Sequence, residues 1–148
     1  MGLDMYLTGK RRLVGWGSSP EADELQAKIA PFIGGLKAET ITFEAAYWRK
    51  ASAIHRWFVD NAQGGKDDCY EHYVSKEQLS ELAYLCAEVL KDKDKAAELL
   101  PPCSGFFFGS SDIDSYYFEQ LRYTLDTIDN LLNNESLEHV EYSYQSSW

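Results

Sequence analysis

A chain of 148 residues that is 45% hydrophobic and 14% aromatic has the size of one domain (1–148) and enough apolar surface for a core, which argues against global disorder. No apolar run reaches the roughly 18 residues of a membrane helix, so no membrane partner is expected. The net charge of −10 is uneven: residues 1–50 carry seven Lys/Arg against six Asp/Glu, and residues 51–148 carry seven against eighteen, a sign that disfavours direct nucleic-acid binding and permits a basic protein partner.

In chain order, Leu3-Asp4-Met5-Tyr6-Leu7 alternates as a half-buried strand does. Thr8-Gly9-Lys10 reads as a turn, and residues 12–16 as a returning strand. A loop over 17–21 leads into a helix that shows Leu25 and Ile29 on one face and ends at Pro31 and Gly34-Gly35. A short strand is expected over 37–41. A helix is expected over 43–61, with Tyr47, Ile54, Trp57, Phe58 and Asn61 on one side, stopped by Gly64-Gly65. Residues 65–73 read as loop or short extended chain.

Ser75-Lys76-Glu77-Gln78 is a capping box opening a helix with the stripe Leu79, Leu82, Cys86, Val89 and Leu90. A short turn near 96–100 is halted by Pro101-Pro102. The Gly-Phe-Phe-Phe-Gly loop at 105–109 precedes a long helix capped within 111–114, its stripe running Ile113, Tyr117, Leu121, Thr124, Leu125, Ile128, Leu132. Residues 139–144 alternate as a last strand. The sum is an α+β fold: a small mixed or antiparallel sheet covered by three to four helices.

Three widely spaced cysteines without a C-x-x-C pair suit a reducing compartment and supply no zinc motif. No basic segment followed by a long apolar stretch stands at the start, so no secretory signal is expected. Asp67, Asp68, Cys69, Glu71 and His72 crowd together but lack two donors on one helical face, so a solvated turn is expected rather than a metal site. Asp112 and Asp114 are explained by helix capping, and no cofactor motif is present. Phe106–Phe108 are expected to anchor their loop on the core. No G-x-S-x-G elbow or H-E-x-x-H appears.

The densest chemistry lies in Trp48, Arg49, Lys50 and His55. On a helix, Trp48, Ser52 and His55 share a face with Arg49 on the next, a pattern that can grip an anionic, planar ligand by guanidinium and indole. The same spacing fits an amphipathic helix that simply buries its tryptophans, and both readings stay open.

Three strings, Met1-Gly2-Leu3-Asp4-Met5-Tyr6-Leu7, Tyr47-Trp48-Arg49-Lys50 through His55-Arg56-Trp57-Phe58-Val59-Asp60-Asn61, and Ser104-Gly105-Phe106-Phe107-Phe108-Gly109-Ser110, resemble a family of small, mostly uncharacterised proteins of phages and prophages. The resemblance implies a setting, the bacterial host cytoplasm, and an accessory role such as interfering with host defence; it brings no reaction with it. The expectation is therefore a non-enzymatic binding protein, sequestering a small anionic, nucleotide-like ligand through Trp48, Arg49, Lys50 and His55, or blocking a basic host protein with the acidic stretch 112–148. The alternative is a small enzyme on a nucleotide or phosphate ester, with His55 as general acid/base and Arg49 stabilising charge.

Overall fold

The computed structural model describes residues 2–15 and 19–148. Its strands are β1 (Asp4–Arg12), β2 (Thr40–Arg49), β3 (His72–Val74) and β4 (Glu141–Ser147), and its helices are α1 (Pro20–Ile29), α2 (Ser52–Ala62), α3 (Lys76–Lys91), α4 (Ala96–Leu99) and α5 (Ser115–Asn133). The strands form one sheet in the order β2-β1-β4-β3, with every neighbouring pair antiparallel. The α+β expectation holds, and the sheet is the antiparallel variety. No helix among the described residues is long and apolar enough to cross a membrane.

One face of the sheet makes the core. Leu3, Met5 and Leu7 from the start of the chain, Trp48 from β2, Tyr142 and Tyr144 from β4 and Val74 from β3 are each at most 1% exposed. Helices close over them: Ile54 and Phe58 from α2, Leu79, Leu82, Cys86 and Val89 from α3, and Leu121 and Ile128 from α5 belong to the same buried cluster. Each such aliphatic side chain contributes about 1.5–3 kcal/mol on burial. On the opposite face Tyr6 and Tyr73 stay exposed.

The local signals at α3 and α5 act as expected. Ser75 Oγ accepts from the Gln78 amide, and Gln78 Oε1 accepts from the Ser75 amide, at 3.1 and 2.9 Å. At α5 it is Asp114 that caps, its carboxylate accepting from the Tyr117 amide at 3.0 Å.

The short strand expected over 37–41 is only the opening of β2, which starts at Thr40, and β3 forms at the end of the stretch read as loop or short extended chain. Two further differences bear on the site. The first is Gly9, expected in a turn, which lies inside β1 opposite Phe43 and Tyr142. A Cβ on Gly9 would lie 2.5 Å from Cε2 of Phe43, so the glycine makes room for a ring from the neighbouring strand. Gly9→Ala is expected to displace that ring and cost about 1–3 kcal/mol, measurable by urea unfolding. Because β1 runs on to Arg12, no returning strand forms over 13–15; Leu13 instead donates its amide to Glu39 O at 2.9 Å, and Trp16 lies outside the described residues.

The second is the helix expected over 43–61. Its first half is β2, whose alternation puts Ala46 and Trp48 inward and Tyr47 and Arg49 outward; only the second half, from Ser52, is helical. The break is at Lys50, with a left-handed φ of 54° and its amide donated to Leu3 O at 2.8 Å. Tyr47 had been placed on the helical stripe by spacing alone, yet it belongs to the outer sheet face.

Candidate functional site

That break scatters the four residues expected to act together. Trp48 is core: its Nε1 donates to Thr124 Oγ1 at 2.8 Å, and its ring packs on Phe58 and edge-on to Tyr123. Arg49 projects from the outer face, 3.9 Å from Asp4 Oδ1, with its side chain more than half exposed. His55 is wholly buried on the first turns of α2. Lys50 alone stands at the edge of a cavity. Indole, guanidinium and imidazole therefore do not face one ligand.

What His55 does instead is join a chain of hydrogen bonds running from the core to the surface. Its Nδ1 lies 2.7 Å from the Tyr144 hydroxyl, and its Nε2 lies 3.1 Å from both Asp67 oxygens. With carboxylate oxygens accepting from Nε2–H, Nδ1 is left to accept from the Tyr144 hydroxyl. Trp148 Nε1 donates to Asp67 Oδ1 at 3.2 Å, and the Phe108 ring stands edge-on to the imidazole. Burial pushes the His55 pKa down, and Asp67 opposes that shift. Burial likewise holds Tyr144 well above the usual tyrosine value, so its proton stays in place to be donated.

The sequence places Asp67 in a solvated turn and Tyr144 in the last strand, and links neither to His55. They are 12 and 89 positions from His55, so no local pattern links them. Phe108 does anchor its loop, against His55 and Trp148, whereas Phe106 is 95% exposed. In the 67–72 stretch, Asp68 Oδ1 pairs with His72 Nε2 at 2.7 Å. Among the described residues no three His, Cys, Asp or Glu side chains converge as metal ligands would.

The space with convergent, uncommitted polar groups lies at the start of α2. It is a narrow opening to solvent of about 20 Å³, room for about one water-sized group, lined among others by Lys50–Ile54, Ser110, Asp112, Asp114 and Tyr116. Its formation follows from the strand-to-helix break. Ala51 offers no side-chain cap, and the amides of Ser52, Ala53 and Ile54 have no backbone acceptor among the described residues; the first intrahelical bond is His55 N–H to Ala51 O. Gly109, with φ +83°, packs so closely on Lys50 that an added Cβ would stand 3.0 Å from the lysine Cβ. The aromatic loop is tied in beside it by Leu3 N–H to Phe107 O at 2.9 Å.

Ser52, a buried residue, lines this space; the buried side-chain atoms without a hydrogen-bond partner among the described residues lie elsewhere, at Gln63 Oε1 and the Tyr142 hydroxyl. The ion pairs of the described residues include neither Lys50 nor Asp112 nor Asp114. A row of free amides at the positive end of a helix and a lysine are the donors an anionic group requires.

No protein-family model, curated protein or solved structure matches this chain. The geometry therefore stands on its own.

A second, roomier cleft collects Lys10, Arg11, Arg12, Lys76 and His139. Most of those cations are committed to the protein itself. Lys10 pairs with Glu71 at 2.5 Å, Arg11 donates to Ser136 O, and Lys76 donates to Leu137 O and Glu138 O. Lys50 at the α2 space has no such partner among the described residues, while the Tyr142 hydroxyl lining the second cleft is buried without a hydrogen-bond partner.

Proposed function

We propose that this chain is a binding module for a small molecule bearing an anionic group, received at the N-terminus of α2. The observation that carries this reading is the set of unused donors beside a narrow opening: the amides of Ser52, Ala53 and Ile54 and the Lys50 ammonium. An anion there would take up hydrogen bonds that the protein leaves open, each worth about 1.5–3 kcal/mol to a charged acceptor. Of the four residues first expected to bind, Lys50 keeps that role. Trp48 is unsuited to stacking on a planar base because it is 1% exposed. Binding is favoured over turnover because His55, the expected acid/base group, is wholly buried and hydrogen-bonded on both ring nitrogens.

The test is a titration with sodium acetate followed by amide NMR. The Ser52, Ala53 and Ile54 signals are expected to shift together and saturate. Lys50→Gly is the informative variant. Glycine suits the left-handed φ of 54° and should raise stability by up to about 1 kcal/mol, while removing the ammonium weakens acetate binding several-fold. Shifts that never appear at those three amides, or that Lys50→Gly leaves untouched, would sink the reading.

A further inference from the structure

β2 is an edge strand, and the direction of its main-chain groups can be read residue by residue. Successive residues of a strand send their N–H and C=O groups to opposite sides. Glu39 turns toward β1, since its C=O accepts from the Leu13 amide at 2.9 Å, and Lys50 does so through its amide to Leu3 O. Counting back from Lys50, Arg49 and Tyr47 face away from β1. Counting on from Glu39, so do Thr40, Thr42 and Glu44. The two counts meet at Ala45, the residue passed over where the β1–β2 register shifts.

Side chains take the outward groups at both ends of this edge. Gln26 of α1 bonds both the carbonyl and the amide of Ala38, the amide at 3.1 Å. Tyr123 of α5 accepts from the Tyr47 amide at 3.2 Å, and Tyr116 donates to Arg49 O. Between these closures, the outward N–H and C=O groups of Thr40, Thr42 and Glu44 have no partner among the described residues. Edge strands are commonly blunted by a charge, a proline or a bulge. Thr40-Ile41-Thr42-Phe43 has none of these, and both threonines are exposed. The other edge of the sheet, β3, is blunted by being only 3 residues long. Just ahead of the open stretch, Phe32 is 92% and Leu36 73% exposed, which puts apolar surface next to the unused hydrogen-bonding groups.

We propose that the chain pairs with a second copy of itself along this edge, β2 antiparallel to β2, with the two-fold axis at Thr42. Self-complementarity selects a second copy. About that axis Thr42 faces the partner's Thr42, and Thr40 faces the partner's Glu44. Every outward N–H and C=O of the open stretch then meets its complement, and none is left over. Glu44 meets a threonine rather than another carboxylate. The edge also belongs to the near-neutral part of the chain, with seven Lys/Arg against six Asp/Glu over residues 1–50. Contact through residues 51–148, with seven against eighteen, would set two strongly acidic surfaces together.

Sedimentation velocity on the full chain from about 1 μM to 1 mM tests this, and a concentration-dependent dimer is the expected result. Two lysine substitutions then read the register. Thr40→Lys sets a lysine opposite the partner's Glu44 on each side of the axis, and should tighten the dimer about two- to tenfold. Thr42→Lys sets two lysines against each other at the axis, and should weaken it by about twofold or more. Both positions lie on the exposed side of β2, so an unchanged urea transition at low concentration verifies each fold. A chain that stays monomeric up to about 1 mM overturns the proposal and leaves the edge to a strand of another protein. A dimer that does not respond to the two lysines with opposite signs overturns it too, since its contact then lies elsewhere or in another register.

Discussion

His55→Ala is expected to lower the stability of the fold by roughly 3–5 kcal/mol, through the cavity it leaves and the Tyr144 hydroxyl it strands. The imidazole is wholly buried, its Nδ1 2.7 Å from Tyr144 and its Nε2 3.1 Å from Asp67, so alanine removes an interior ring and both of its bonds at once. Urea unfolding would show the transition midpoint falling with the slope retained. A variant as stable as the wild type would mean that His55 is not structural, and would return it to the list of functional groups.

The same residue sets an acid limb. Burial holds the folded pKa of His55 below its ordinary value, and the unfolded chain titrates near 6.5. Above that pH the ring is neutral in both states and its contribution is complete. As pH falls below about 6.5 the unfolded chain takes up a proton before the folded one does, so stability declines until the folded pKa is reached. The Asp68 carboxyl, lowered first by its hydrogen bond to His72, and the Glu71 carboxyl, lowered first by Lys10, lose their contributions in a separate window near and below pH 4. His55→Ala should therefore flatten the decline just below pH 6.5 and leave the lower one in place.

Local rules made much of the fold readable, and distance in sequence hid the rest. Leu3, Met5 and Leu7 alternate with Asp4 and Tyr6, and that period alone places β1 with its inner face. Ser75 and Gln78 announce α3 by chemistry confined to four residues, and Tyr117, Leu121, Thr124 and Ile128 trace the buried stripe of α5. The stretch over 43–61 misled because two periods overlap in it: Ala46 and Trp48 repeat at two, while Ile54, Trp57 and Phe58 repeat at three and four. Gly9 misled because its reason is a Phe43 ring delivered by another strand. The α2 cavity was half visible. Lys50 was singled out, and Ser52 was placed on the same expected face, but the free amides depend on a strand ending at Arg49, which spacing did not reveal. Asp112 and Asp114 were assigned to capping, which describes Asp114 and leaves Asp112 facing the cavity.

Trp48→Ala should cost about 3–5 kcal/mol, and its companion Trp48→Phe only about 1–2 kcal/mol. The difference separates ring volume from the indole N–H. Alanine empties the space between Phe58 and Tyr123, whose ring centroids lie 5.8 and 6.1 Å from that of Trp48; phenylalanine refills most of it and forfeits the bond to Thr124 Oγ1. Thr124 is left partly satisfied in both variants because its hydroxyl still donates to Gln120 O at 2.6 Å. The consequence reaches the cavity by a structural route. Trp48 ties β2 to α5, and Tyr116, Tyr117, Gln120 and Leu121 of α5 line the space at the start of α2. If the indole only supports that wall, Trp48→Phe keeps acetate binding at the Ser52–Ile54 amides while Trp48→Ala weakens it in step with stability. If Trp48 instead touched the ligand, phenylalanine would cut binding sharply in a protein that remains well folded.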